Sequence, residues 1–183
     1  MGCFIHSLFF YHMPAKLYSC SIIGLECHLV EVEAEILNGM SCFEVVGLTD
    51  TAIQESRQRV FPAIKNSDFE FPRRKKIVNL AAADLKKQGP HFDLPIALAL
   101  LAASRQITIT DNEKSLFVGE LALDGSLRHI NGTLLIANFA KNKGFKKLFV
   151  PFNNAKEASL IDGIKVYGVK NLLELCNFFE DEK

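Results

Sequence analysis

The chain has 183 residues, with 21 Lys plus Arg balanced by 21 Asp plus Glu, 49% hydrophobic residues and six prolines. That length suits one compact domain, and the composition excludes disordered and collagen-like chains. A formal net charge of zero means that nucleic-acid binding would have to rest on a local patch.

The opening stretch MGCFIHSLFFYH is apolar but lacks a basic n-region, is followed by no small-residue cleavage site, and is too short to span a bilayer. Residues 1–12 are therefore expected to lie outside the folded domain, which covers 13–179, with 180–183 as a tail and no membrane partner. Five cysteines without CxxC spacing read as reduced thiols of a cytoplasmic protein. Cys20, Cys27 and His28 could be imagined around a metal, but paired ligand motifs are absent and no metal site is predicted.

Alternation predicts strands over Lys16–Gly24 and His28–Leu37, the second placing Val30, Val32, Ala34 and Ile36 on one face and Glu31, Glu33 and Glu35 on a solvated one. A third strand, Cys42–Val46, leads through Gly47 to a helix over TAIQESRQRVFPAIKN capped by Thr49 or Asp50. Pro62 should kink that helix or break it near Val60, at a cost of ~3 kcal/mol. Next come Arg73, Arg74, Lys75 and Lys76, a buried strand Ile77–Ala82, and Lys86 and Lys87. This basic rim is the local candidate for phosphate contact.

A turn at Gly89 and Pro90 presents His91 ahead of a helix, LPIALALLAAS, apolar nearly all round and hence central. SLFVGELALDGSLRHI predicts a hairpin turning at Asp124 and Gly125. Asn131 or Thr133 should cap a helix through Lys143 that stops at Gly144. A strand (Lys147–Val150), a helix from Asn153 or Asn154 toward Ile161, a strand near Val166 and a helix over Asn171–Phe179 complete a mixed-sheet α+β or α/β reading.

A strand, a glycine turn and a helix start suit a nucleophile, yet that turn holds no Ser, Thr or Cys, and GxSxG, HExxH, SxxK, GxGxxG and Walker A patterns are all missing. A diverged hydrolase would have to assemble His91 or His129 with Ser126 or Ser104 from distant positions. A lone turn histidine is more often structural.

EVVGLTDTAIQESRQRV, KNSDFEFPRRKKIVNLAAADLKKQGPHFDLPIALALLAAS and FVGELALDGSLRHINGTLLIA closely resemble the N-terminal domain of magnesium-chelatase-like, ComM/YifB-type bacterial proteins, from about Met13 to Phe179. The resemblance implies an α+β fold, ribosomal protein S5 domain 2-like and similar to the Lon proteolytic domain. It also implies a following AAA+ ATPase module, absent here and expected to carry ATP and magnesium, so that no cofactor belongs to this chain. The whole resembles a hexameric DNA helicase of branch migration in natural transformation, for which this domain would aid assembly, contact DNA, or both.

Lon proteases carry their serine in KDGPSAG and their lysine after IGGLK. KQGPHFD matches the first with His91 at the serine position, and Ile130–Leu134 match the second with Leu134 at the lysine position. Because the lysine acts as base for the serine hydroxyl, losing both implies a non-catalytic scaffold. His91 and Pro62 also depart from the family's own usual pattern.

Overall fold

The computed structural model describes residues 14–47, 51–81 and 90–181. The predicted caps Thr49 and Asp50, Lys86, Lys87, Gly89 and the N-terminal stretch lie outside them. A seven-stranded mixed sheet runs in the order β3-β4-β2-β1-β5-β8-β9, built from β1 (Ala15–Ile23), β2 (Glu26–Leu37), β3 (Phe43–Val46), β4 (Lys75–Ala81), β5 (Ser115–Phe117), β8 (Lys147–Pro151) and β9 (Lys165–Val169). β6 (Glu120–Leu121) and β7 (Leu127–Arg128) form a separate hairpin. β1, β2 and β4 are antiparallel neighbours, whereas β3–β4 and the β1–β5–β8–β9 series pair in parallel.

Strand alternation divides the interior between the two faces. Leu17, Val30, Val32, Val78, Leu80, Phe117 and Phe149 point toward α1 (Thr51–Asn66), α2 (Asp93–Ala103) and α5 (Leu172–Asp181). Cys20, Leu116, Leu148 and Val150 point toward α3 (Thr133–Asn142) and the single-turn α4 (Ala155–Ala158). The glutamates of β2 share this second face but lie beyond α3: Glu31 pairs with Lys16, and Glu33 accepts a bond from Asn79 Nδ2 at 3.0 Å. α2 is central, with every residue from Asp93 to Leu101 buried, each large side chain contributing ~1.5–3 kcal/mol of apolar transfer energy.

Four expectations need correction. The helix holding Pro62 is not broken near Val60 but runs on to Asn66. The bond lost is to the carbonyl of Gln58 on the exposed side, while buried Val60, Ala63 and Ile64 hold the helix on the core. Ser115–Phe117 is no hairpin arm, because it joins the main sheet between β1 and β8, leaving only β6 and β7 around the Asp124–Gly125 turn. α3 is capped by neither Asn131 nor Thr133: Gly132 stands at its N-cap in the left-handed region, φ 79°, without a side-chain cap bond. The helix expected toward Ile161 is reduced to α4 after a 3-10 turn over Phe152–Asn154.

Candidate functional site

The turn that carries His91 is held by the backbone of a neighbouring segment. A 3-10 turn, Pro90–Phe92, runs directly into α2. The Gly119 amide donates to the His91 carbonyl at 2.9 Å, and the Leu94 amide donates to the Gly119 carbonyl at 3.0 Å. A Cβ on Gly119 would stand 2.9 Å from Leu127 Cδ2 and 3.3 Å from Leu94 Cβ, so a larger residue here would have to push both leucines aside. The helix-start amide that could have faced an anion is therefore occupied by backbone.

His91 is 8% exposed, and its Nε2 lies 2.9 Å from the carbonyl of Cys20 on β1. A carbonyl only accepts, so Nε2 carries the proton. Burial pulls the imidazole down from its ordinary 6.5 to about 4, against a smaller upward push from the Cys20 carbonyl. The ring is neutral at physiological pH and committed to a strand.

The hydroxyl partners of the hydrolase reading are engaged elsewhere. Ser126 Oγ donates to Asp124 Oδ1 at 2.7 Å in the hairpin turn. Ser104 Oγ donates to the Leu100 and Leu101 carbonyls beyond the far end of α2, about 16 Å of helix from the His91 turn. His129 is exposed. Leu134, matched in sequence to the Lon lysine, is 39% exposed at the start of α3, its amide donating to Glu157 Oε1 at 3.3 Å. Cys27 and His28 are successive on β2 and so point to opposite faces, and the buried Cys20 thiol is pushed up by donating to Cys27 and by desolvation. Among the described residues no three His, Cys, Asp or Glu side chains gather as metal ligands.

Two buried polar knots, neither foreseen, hold these segments. Asp93, fully buried, accepts from Arg59 Nε at 2.6 Å, from Arg59 Nη2 at 3.2 Å and from the Leu121 amide at 3.2 Å, tying α1, α2 and β6 together. Burial pushes its carboxyl up, and Arg59 opposes that rise. Asn154, also fully buried, accepts from the Ile130 amide at 3.0 Å and donates to the Ile130 carbonyl at 2.8 Å and to Thr133 Oγ1 at 2.7 Å. An Asp beginning a helix and an Asn beside a strand end were the only sequence signals for either.

The basic rim is not one surface. Within β4, successive side chains alternate: Lys75 turns outward and pairs with Glu44 at 3.2 Å, while Lys76 turns inward with Val78 and Leu80 and is 2% exposed. The Lys76 ammonium donates to the Pro72 carbonyl (2.8 Å), the Arg74 carbonyl (2.8 Å) and Ser41 Oγ (3.3 Å), which uses all three of its N–H groups. Desolvation lowers its pKa. Lys76 is thus corrected from a phosphate contact to a structural cation. Arg73 and Arg74 are exposed on a ridge between two clefts. One, about 580 Å³, is lined by Phe43, Phe61, Phe71, Lys65 and Arg73, and the other, about 480 Å³, by Arg73, Arg74, Arg105 and Gln106.

Fold and sequence together define a mixed-sheet α+β domain of the S5 domain 2-like, Lon-like class. A family profile described as "Subunit ChlI of Mg-chelatase" matches residues 32–154. The chain belongs to this magnesium-chelatase-like family. It is 38% identical over 169 residues to the competence protein ComM of Haemophilus influenzae, covering 92% of this chain and 33% of the relative. It is 40% identical over 166 residues to the uncharacterized protein YifB of Salmonella typhimurium, covering 91% and 33%. A shorter match, 35% over 95 residues, joins it to the DNA repair protein RadA of Streptococcus pneumoniae, covering 52% and 22%. The chain thus spans about a third of the length of the ComM and YifB relatives it matches. No helix among the described residues is long and apolar enough to cross a membrane.

Proposed function

We propose that this chain is a non-catalytic Lon-like domain that contacts DNA along the Arg73–Arg74 ridge and helps assemble a homo-oligomer, a hexamer in the complete protein. The exposed Arg73–Arg74 ridge, with further cations lining the cleft on each side, is the observation that carries the DNA reading. Relatives named for competence and DNA repair support it. In a longer cytoplasmic protein the domain would precede an AAA+ module that supplies ATP and magnesium chemistry, and the whole would act as a DNA helicase of branch migration.

Electrostatic contact of this kind is sequence-independent and salt-sensitive. The test is fluorescence anisotropy of a labelled duplex with the 183-residue chain and with a Lys65→Gln/Arg73→Gln/Arg74→Gln variant. Loss of low-salt binding in the variant, with its far-UV dichroism unchanged, is the expected result. Equal binding by both proteins would reject the ridge.

A further inference from the structure

The cleft beside Arg73 carries aromatic rings that the duplex reading leaves without a role. Phe61 projects from α1 and is 45% exposed. Phe71 packs edge-on against it at 4.8 Å and 81°, and against Phe43 at 5.6 Å and 66°. Each ring has a cation over it: Lys65 over Phe61 at 5.3 Å, Arg57 over Phe43 at 5.5 Å and Lys76 over Phe71 at 5.0 Å. The cleft's volume of about 580 Å³ falls in the roughly 300–1,000 Å³ range of sites for small organic groups.

An exposed ring, Phe61, backed by two half-buried rings and flanked by side-chain cations, suits a flat ring joined to a phosphate. Lys76 cannot donate to a ligand, because its three N–H groups are taken, so it contributes only positive potential. Lys65 and Arg73 are the cations able to reach out, and Lys65, exposed and one helical turn from Phe61, can swing from the ring face to a phosphate. Among the described residues that line the cleft, Glu70 is the one acidic group, against three cations. Bases of a duplex hide their faces in the stack, so only an unpaired base fits this chemistry.

We infer that the cleft formed by Phe61, Phe71 and Phe43 is a stacking site for an unpaired base of a DNA single strand, with Lys65 and Arg73 on the adjoining phosphates. This inference rests on the DNA reading above and adds strand state to it. The protein has no tryptophan, so Phe61→Trp places one reporter indole at the site. Titration of that variant with an oligothymidylate should quench its emission in step with anisotropy. Phe61→Ala and Phe61→Leu should bind the strand ~5- to 100-fold more weakly, and Phe61→Tyr should restore binding, while duplex affinity stays within about twofold throughout. An unquenched indole at saturating strand, unchanged binding by Phe61→Ala, or thymidine monophosphate binding as tightly as the strand would overturn the site. Failure of the parent to bind either form of DNA removes the DNA reading itself, whereas salt-sensitive duplex binding accompanied by single-strand binding indifferent to Phe61 removes only the stacking site.

Discussion

Replacing His91 by glutamine should remove a definite part of the protein's acid sensitivity. The imidazole is 8% exposed and titrates at about 4 in the folded chain, against an ordinary value of 6.5. As pH falls below 6.5 the unfolded chain gains a proton that the folded chain refuses until about 4. The stability contributed by neutral His91 is thus fully present above 6.5 and is lost as pH drops through that window. At ~1.4 kcal/mol per tenfold in proton affinity, the loss approaches ~3 kcal/mol by pH 4. Urea unfolding followed by far-UV dichroism at pH 7.5, 5.5 and 4.2 measures it. Glutamine retains a donor for the Cys20 carbonyl but does not titrate, so parent and His91→Gln should diverge steadily toward acid, the variant losing ~3 kcal/mol less. Parallel stability curves would refute the buried, neutral placement of His91.

Three further outcomes follow from the polar knots and from the engaged Ser126 hydroxyl. Arg59→Ala strands a fully buried carboxylate and should cost ~3–5 kcal/mol in a denaturation midpoint assay, whereas Arg59→Met/Asp93→Asn removes both charges and should recover most of that. Asn154→Ala leaves the Ile130 amide and carbonyl without their side-chain partner and should cost ~2–4 kcal/mol, read by the same assay. A fluorophosphonate probe should label neither the parent nor a Ser126→Ala variant, and Ser126-dependent labelling would restore a hydrolase.

The strands and the central helix were legible because alternation and apolar content report burial directly: Val30 to Ile36 alternate inward, and α2 has no polar face to offer solvent. The same period-two rule, carried two residues back into β4, separates Lys75 from Lys76; reading Arg73–Lys76 as one charge run misses it. Local cost at Pro62 points to a break near Val60, but the tertiary packing of Val60, Ala63 and Ile64 carries the helix through it. Ser115–Phe117 lacked any local sign of its parallel neighbours, since parallel pairing with β1 and β8 is set by distant chain. The Arg59–Asp93 and Asn154 knots join residues 34 and 24 or 21 positions apart, a separation at which residue type names a possible donor or acceptor but not its partner.

Salt dependence of DNA binding is the decisive measurement for a scaffold that touches DNA through a charged ridge. For the 183-residue chain, the logarithm of affinity should fall linearly with the logarithm of salt concentration, and replacing Lys65, Arg73 and Arg74 with glutamine should flatten that slope by about 2–3 on duplex DNA. A parent that binds no DNA at low salt, or a slope unaltered by removing the three cations, would contradict that contact.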